Sequence, residues 1–179
     1  MKIETIKVGD LDTNCYLIIN DNKCIIVDPG DEYNKIVKNI EHLSLNPIAV
    51  FITHYHFDHI GALQDIKRKY NIKIFDYKDY ENDNKLYTID EFKFNIIETK
   101  GHKEDLVTYY FPNNNVMFVG DFIFKHDIGR CDLAGGNFEE MLNSIDKIKT
   151  YPKDIIIYPG HGEKTTLKDE LKHNEYFKR

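Results

Sequence analysis

Within six residues the chain places His54, His56, Asp58 and His59, three imidazoles and a carboxylate. Borderline divalent cations such as zinc take these ligand types, provided the backbone turns the side chains toward one point. A lone histidine is an ordinary surface or core residue, but four donors at this spacing read as a metal site, and as a catalytic one. Three later positions share a local pattern of apolar run, glycine and donor: Gly101-His102, Gly120-Asp121 and Gly160-His161. Each dipeptide alone is common in turns. With the first cluster they make seven donors, enough for two ions, and Asp121 with its two oxygens suits a bridge. His42 and His173 fall on polar helix faces and His126 in a loop, so these three read as ordinary.

The elements that must position these donors follow from periodicity. The run 48–52 is apolar throughout, as in a strand buried on both faces, and the first cluster lies where that strand emerges. Upstream, residues 2–8, 14–19 and 24–27 read as strands of a meander, with a turn at Asn20-Asp21-Asn22. After Asp28-Pro29-Gly30, the apolar positions Ile36, Val37, Ile40 and Leu43 give an amphipathic helix over 31–43. Ile60, Leu63, Ile66 and Tyr70 give a second, starting near Asp58. Further strands are expected at 72–75, 92–96, 106–111, 116–119 and 155–157, with a surface loop over 76–85. Helices are expected over 138–148 and 167–177. Two strand groups, each followed by helices, point to an α/β sandwich of two sheets with helices outside, not one doubly wound sheet.

The 179 residues suit a single domain spanning 1–179. With 41% hydrophobic and 30% charged residues, the composition is that of a soluble globular protein. A net charge of −6 argues against nucleic acid and anionic membranes as partners. Charged residues interrupt the apolar ones in residues 1–8, unlike a signal peptide or membrane anchor, so a cytoplasmic protein is expected. Cys15, Cys24 and Cys131 form no disulfide framework and no paired metal motif; the first two read as small core residues.

The chain resembles the metallo-β-lactamase fold hydrolases, and within them the short glyoxalase II-like group. The resemblance rests on Thr13-Asn14-Cys15-Tyr16-Leu17, Val27-Asp28-Pro29-Gly30, the His-x-His-x-Asp-His run, Gly101-His102 and Gly120-Asp121. It continues through Ile128-Gly129-Arg130-Cys131-Asp132-Leu133, Gly135-Gly136, Pro159-Gly160-His161-Gly162 and Thr165-Thr166-Leu167. It implies a four-layer αββα sandwich with the site at one edge. It also implies that His54, His56 and His102 bind one ion, that Asp58, His59 and His161 bind the second, and that Asp121 bridges them. One departure is notable: Lys103-Glu104-Asp105 replaces the threonine and Pro-Gly turn that usually follow the third histidine.

The expected chemistry is hydrolysis without a protein nucleophile. Two divalent ions, zinc first with iron or manganese as alternatives, would supply a metal-bridging hydroxide at neutral pH and polarise a carbonyl. Asp58 would orient the hydroxide, so Asp58 and Asp121 are the catalytic candidates. Neither Ser44 nor Ser144 has the context of a nucleophile elbow. Arg130, in the loop over 124–136, lies where the relatives place a cation near substrate, and its guanidinium would suit a carboxylate. Lys125, His126 and Cys131 are expected near the pocket mouth, with no role assigned. The resemblance implies a thioesterase acting on a small acyl-thiol, in the manner of hydroxyacylglutathione hydrolase. No counterpart of the glutathione-holding helical domain of the long enzymes is expected within these residues, so the thiol carrier stays open. The alternatives are a mononuclear iron persulfide dioxygenase of the same fold, or a hydrolase of another ester, lactone or phosphodiester. Oligomeric state is not legible.

Overall fold

The computed structural model describes residues 1–178. The strands β1 (Lys2–Val8), β2 (Thr13–Asn20) and β3 (Lys23–Val27) form an antiparallel meander. After α1 (Tyr33–His42), β4 (Asn46–Phe51) adds parallel to β3. Two short helices, α2 (Phe57–Ile60) and α3 (Leu63–Tyr70), lead to β5 (Lys73–Phe75), which completes a five-stranded sheet. The chain then builds β6 (Leu86–Ile89), β7 (Phe92–Glu98), β8 (Val107–Phe111) and β9 (Val116–Gly120) as an antiparallel series. A two-stranded ribbon follows, β10 (Ile123–Phe124) with β11 (Asp127–Ile128), and then α4 (Phe138–Ile148). The strands β12 (Ile156–Pro159) and β13 (Thr165–Thr166) close a second sheet of order β13-β12-β9-β8-β7-β6, and α5 (Leu167–His173) covers it.

Alternation along the strands explains the layers. On β2, Leu17 and Ile19 face α1 and α3, while Tyr16 and Ile18 face the other sheet. Successive side chains point to opposite faces, so a strand buried on both sides must be apolar almost throughout, as β2 is. Phe51, Phe94, Tyr109, Phe111 and Phe118 fill the space between the sheets. Ile97, Met117 and Val119 on the outer face of the second sheet pack against Met141, Ile145 and Ile148 of α4 and Leu167 of α5. This is the expected four-layer αββα arrangement. Cys15 and Cys24 are buried core residues, as read from their apolar neighbours. No described helix is long and apolar enough to cross a membrane.

Some local expectations need correction. The helix after the histidine run is two pieces, because the Ala62 N–H donates to Pro29 O and not into its own helix. The terminal helix stops at His173, where Asn174 turns its side chain to cap the next turn and to bond Glu170 and Asp127. The residues 124–136 are not loop throughout: β10 and β11 lie at their start, with His126 at the tip. Strands of two residues, such as β10, β11 and β13, leave no periodic signal, and β6, an unexpected strand at the sheet edge, has no fully buried position to mark it.

Candidate metal centre

Five strand ends, those of β3, β4, β7, β9 and β12, meet at one rim of the sandwich. The parallel pairing of β3 with β4 sets Asp28, just past β3, beside the segment Thr53-His54 past β4. The parallel pairing of β9 with β12 does the same for Asp121 and His161, and a register shift between Tyr158 and Pro159 brings Pro159 opposite Gly120. Such a bulge re-aims the chain that follows it. His102 lies in the turn between β7 and β8, closed by Leu106 N–H donating to Lys103 O. In this turn Lys103 pairs with Asp105 at 2.8 Å. The two sheets are stitched beside the rim by Asn14 Nδ2, which donates to Pro159 O and Gly162 O at 2.9 and 3.1 Å, and by Val107 N–H, which donates to Thr53 O.

All seven sequence-predicted donors converge there. His56 Nδ1 lies 3.1 Å from His54 Nε2 and 2.9 Å from His102 Nε2, making one triad. Asp58 Oδ2 lies 3.4 Å from His59 Nε2 and 3.2 Å from His161 Nε2, making a second. Asp121 faces both: Oδ1 is 3.3 Å from His59 Nε2, and Oδ2 is 3.7 Å from His102 Nε2 and 3.5 Å from His161 Nε2.

The atoms behind the rings decide what the inward atoms can do. His59 Nδ1 donates to Asp28 Oδ2 at 2.9 Å, His102 Nδ1 to Arg130 O at 2.7 Å, and His161 Nδ1 to Leu11 O at 3.0 Å. His54 Nδ1 donates to Thr53 Oγ1, whose own proton goes to Asp28 Oδ2. With its proton held at the back, a neutral ring in this position turns the Nε2 lone pair inward, which is how metal-ligating histidines are oriented. Asp28, buried and with a left-handed backbone (φ 47°), accepts from Thr53 N–H, Thr53 Oγ1 and His59 at once.

Two buried atoms at the core of the cluster, His59 Nε2 and Asp121 Oδ1, have no hydrogen-bond partner. Buried polar atoms are rarely left so, and a cation between them would satisfy both. Charge points the same way. Burial alone would lower the His59 pKa, but the carboxylates of Asp28 and Asp121 raise it to about 10. Burial would raise Asp58 and Asp121, yet the neighbouring histidines hold both below the usual carboxylate range. His54 is driven well below its ordinary value by burial and by the surrounding imidazoles. The donor set therefore calls for positive charge at its centre. Gly160 permits the crowding: a Cβ there would sit 2.2 Å from Asp121 Oδ1 and 2.7 Å from His59 Cε1.

The superfamily pattern described as "Metallo-beta-lactamase superfamily" matches residues 8–83 and 74–161. The chain belongs to the metallo-beta-lactamase superfamily. It is similar to the probable metallo-hydrolase YqgX of Bacillus subtilis, 32% identical over 98% of this chain and 97% of that protein. It is also similar to the hydroxyacylglutathione hydrolase GloC of Haemophilus influenzae, 30% identical over 98% of each chain. Its fold superposes on the crystal structure of the B3 metallo-beta-lactamase BLEG-1 with a TM-score of 0.92 and 30% identity, covering 99% of this chain and 100% of that one. As a metallo-beta-lactamase superfamily member the chain is a metallo-hydrolase that takes divalent metal.

The remaining sequence candidates lie around the centre in different ways. Arg130 points its guanidinium to the surface, in a bidentate pair with Asp132 at 2.7 Å. Its backbone carbonyl, not its side chain, touches the cluster, through His102. Lys125 pairs with Glu163 at 2.6 Å and His126 with Asp169 at 2.7 Å. Cys131 directs its Sγ to Gly129 O, and burial raises its thiol pKa. Sequence reading gave Asp28 and Thr53 no part in the site. The signal available for Asp28 was an Asp-Pro-Gly turn directly after a buried strand.

Proposed function

We propose that the chain hydrolyses thioesters of small acyl-thiols with two divalent ions of the zinc class. His54, His56 and His102 would hold one ion, Asp58, His59 and His161 the other, and Asp121 would bridge them. The single observation that carries this reading is the Asp121 carboxylate, with one oxygen toward His59 and the other toward His102 and His161. When bound, such a pair of ions lowers the pKa of water and polarises a carbonyl.

The residues of the chain supply orientation. Asp28, Arg130 O and Leu11 O lock three rings in the tautomer whose Nε2 faces the centre. Thr13 Oγ1 donates to Asp58 Oδ2 at 2.9 Å, fixing the rotamer of a carboxylate kept ionised by its histidine neighbours. An ionised Asp58 can accept a proton from water in a hydrogen bond and so aim its oxygen at a carbonyl. Among the described residues no side chain at the rim is placed to be the nucleophile: Ser144 donates to Lys100 O, and burial raises the Cys131 thiol pKa, which favours the neutral thiol. Arg130 can meet a substrate carboxylate by exchanging it for Asp132, since both side chains are exposed.

Thioesters are favoured over other acyl substrates by the likeness to the hydroxyacylglutathione hydrolase GloC along nearly the whole chain. The test is elemental analysis of the purified protein, with parallel assays on an acyl-glutathione thioester, a persulfide with oxygen uptake, and a β-lactam. Two ions per chain and thioester cleavage are expected. Two zinc ions without thioester cleavage would sink the reading, and one iron with oxygen uptake would replace it with persulfide oxidation.

A further inference from the structure

A second donor cluster lies on the surface, away from the seven rim residues. His126, Asp169 and His173 bring ligand atoms within 4.8 Å of one another. His126 occupies the tip between β10 and β11, while Asp169 and His173 are one turn apart on α5. One carboxylate serves both rings, with Oδ2 2.7 Å from His126 Nε2 and Oδ1 3.0 Å from His173 Nδ1. A tetrahedral ion with bonds of about 2.0–2.1 Å spaces its donors about 3.3 Å apart. The cluster thus needs closing by about 1.5 Å at most, within reach of half-exposed side chains by rotamer adjustment.

The tip is held by buried groups. His126 adopts φ 64°, unfavourable for a residue with a Cβ, and its N–H donates to both oxygens of Glu170 at 3.0 and 3.2 Å. Glu170 is fully buried and also accepts from Thr165 Oγ1 at 2.6 Å and Asn174 Nδ2 at 2.8 Å. A buried carboxylate satisfied on this many sides fixes the backbone at His126, and with it the ring over Asp169. The rings of His126 and His173 end 5.2 Å apart.

We infer that His126, Asp169 and His173 form a separate binding site for one divalent ion of the zinc, nickel or copper class, which clamps the β10–β11 ribbon to α5. Imidazole and carboxylate are the ligands these ions prefer, and two histidines with one carboxylate leave a position for water. The ribbon links this clamp to the rim. The Phe124 ring lies 6.1 Å from the His161 ring, and Arg130, two residues past β11, offers its carbonyl to His102. Occupancy at the tip therefore restrains the segment that supports a histidine of each triad. The inference does not depend on the reaction carried out at the rim.

The experiment uses tag-free protein saturated with zinc, desalted, and assayed for retained metal before titration with nickel or zinc. The wild-type chain is expected to bind one further equivalent, and to melt at a higher temperature when nickel is added. H126N and H173Q should weaken that equivalent at least tenfold while retaining the same tightly held metal, and H42N should behave as wild type. Asparagine tolerates the left-handed backbone at position 126, so H126N should keep the tip conformation. Identical uptake by wild type, H126N and H173Q overturns the inference, as does loss of the equivalent in H42N.

Discussion

Replacing Asp28 by asparagine changes one atom type and tests the orientation argument directly. The carboxylate accepts three hydrogen bonds: Thr53 N–H on Oδ1 at 2.8 Å, and Thr53 Oγ1 and His59 Nδ1 on Oδ2 at 2.6 and 2.9 Å. An amide placed with its nitrogen at the Oδ1 position would set two N–H groups against each other at Thr53. The other orientation, with the nitrogen at the Oδ2 position, is therefore preferred. Thr53 can rotate its hydroxyl to accept, but His59 must then accept at Nδ1, which moves its proton to Nε2. That atom is the one facing Asp58 and Asp121. The ring can no longer offer a lone pair there without breaking a buried hydrogen bond. Loss of such an orienting partner costs about 10–100-fold in metal affinity, or about 1.4–2.7 kcal/mol. The ion held by Asp58, His59 and His161 should weaken by that factor, and the ion at His54, His56 and His102 much less. Removing a charge-assisted bond also costs about 1.5–3 kcal/mol of stability. The assay is competition for zinc against a chromophoric chelator, resolving the two equivalents, with thermal melting in parallel. If both ions bind D28N within about twofold of wild type, the tautomer argument fails, and Asp28 is only a structural residue.

Asp121→Ala removes a carboxylate that faces both triads, so elemental analysis should find at least one ion fewer; retention of both would remove the bridge. Gly160→Ala places a methyl 2.2 Å from Asp121 Oδ1 and 2.7 Å from His59 Cε1. It should cost about 1–3 kcal/mol by overpacking and abolish hydrolysis while far-UV circular dichroism stays native; an active, metal-replete G160A would contradict the close approach. Phe51→Ala deletes a ring that stacks on Tyr109 at 4.3 Å and meets Phe94 at 4.5 Å between the sheets. A loss of about 3–5 kcal/mol is expected from urea unfolding, and a change under about 1 kcal/mol would show that the interlayer core is loosely packed.

The donors were legible in sequence and their supports were not, for a physical reason. A ligand must be one of a few residue types, and at strand ends it follows a glycine or a buried run, so His54 to His59, His102, Asp121 and His161 all carried local signals. What holds them is remote or anonymous. Asp28 reaches His59 across 31 residues, and His102 leans on a backbone carbonyl of Arg130, an acceptor any residue would provide. The guanidinium of Arg130 is instead at the surface beside Asp132, so the residue type at 130 says nothing of the carbonyl that supports His102. His126 and His173 looked ordinary for the same reason: the carboxylate they share is 43 residues from one and 4 from the other, and only the fold of the ribbon joins them. The layer order was readable because strands buried on both faces show as apolar runs, whereas two-residue strands have no period to read.

Neither sheet contains a complete donor set. His54, His56, Asp58 and His59 come from the β4 side, and His102, Asp121 and His161 from the ends of β7, β9 and β12. Each triad takes members from both sides, and the unpartnered contact of His59 with Asp121 crosses between them. The separation of the sheets therefore sets the separation of the donors. It is fixed by the aromatic layer around Phe51 and by crossing bonds such as Tyr16 to Pro159 O and Tyr109 to Ile52 O. An ion at this seam would bind the closed sandwich and not the separated sheets, so by linkage it adds to stability by RT ln(1 + c/Kd), where c is the free ion concentration. Packing far from the rim and affinity at the rim are thus two readings of one distance, and a substitution that loosens the interlayer core must lower both.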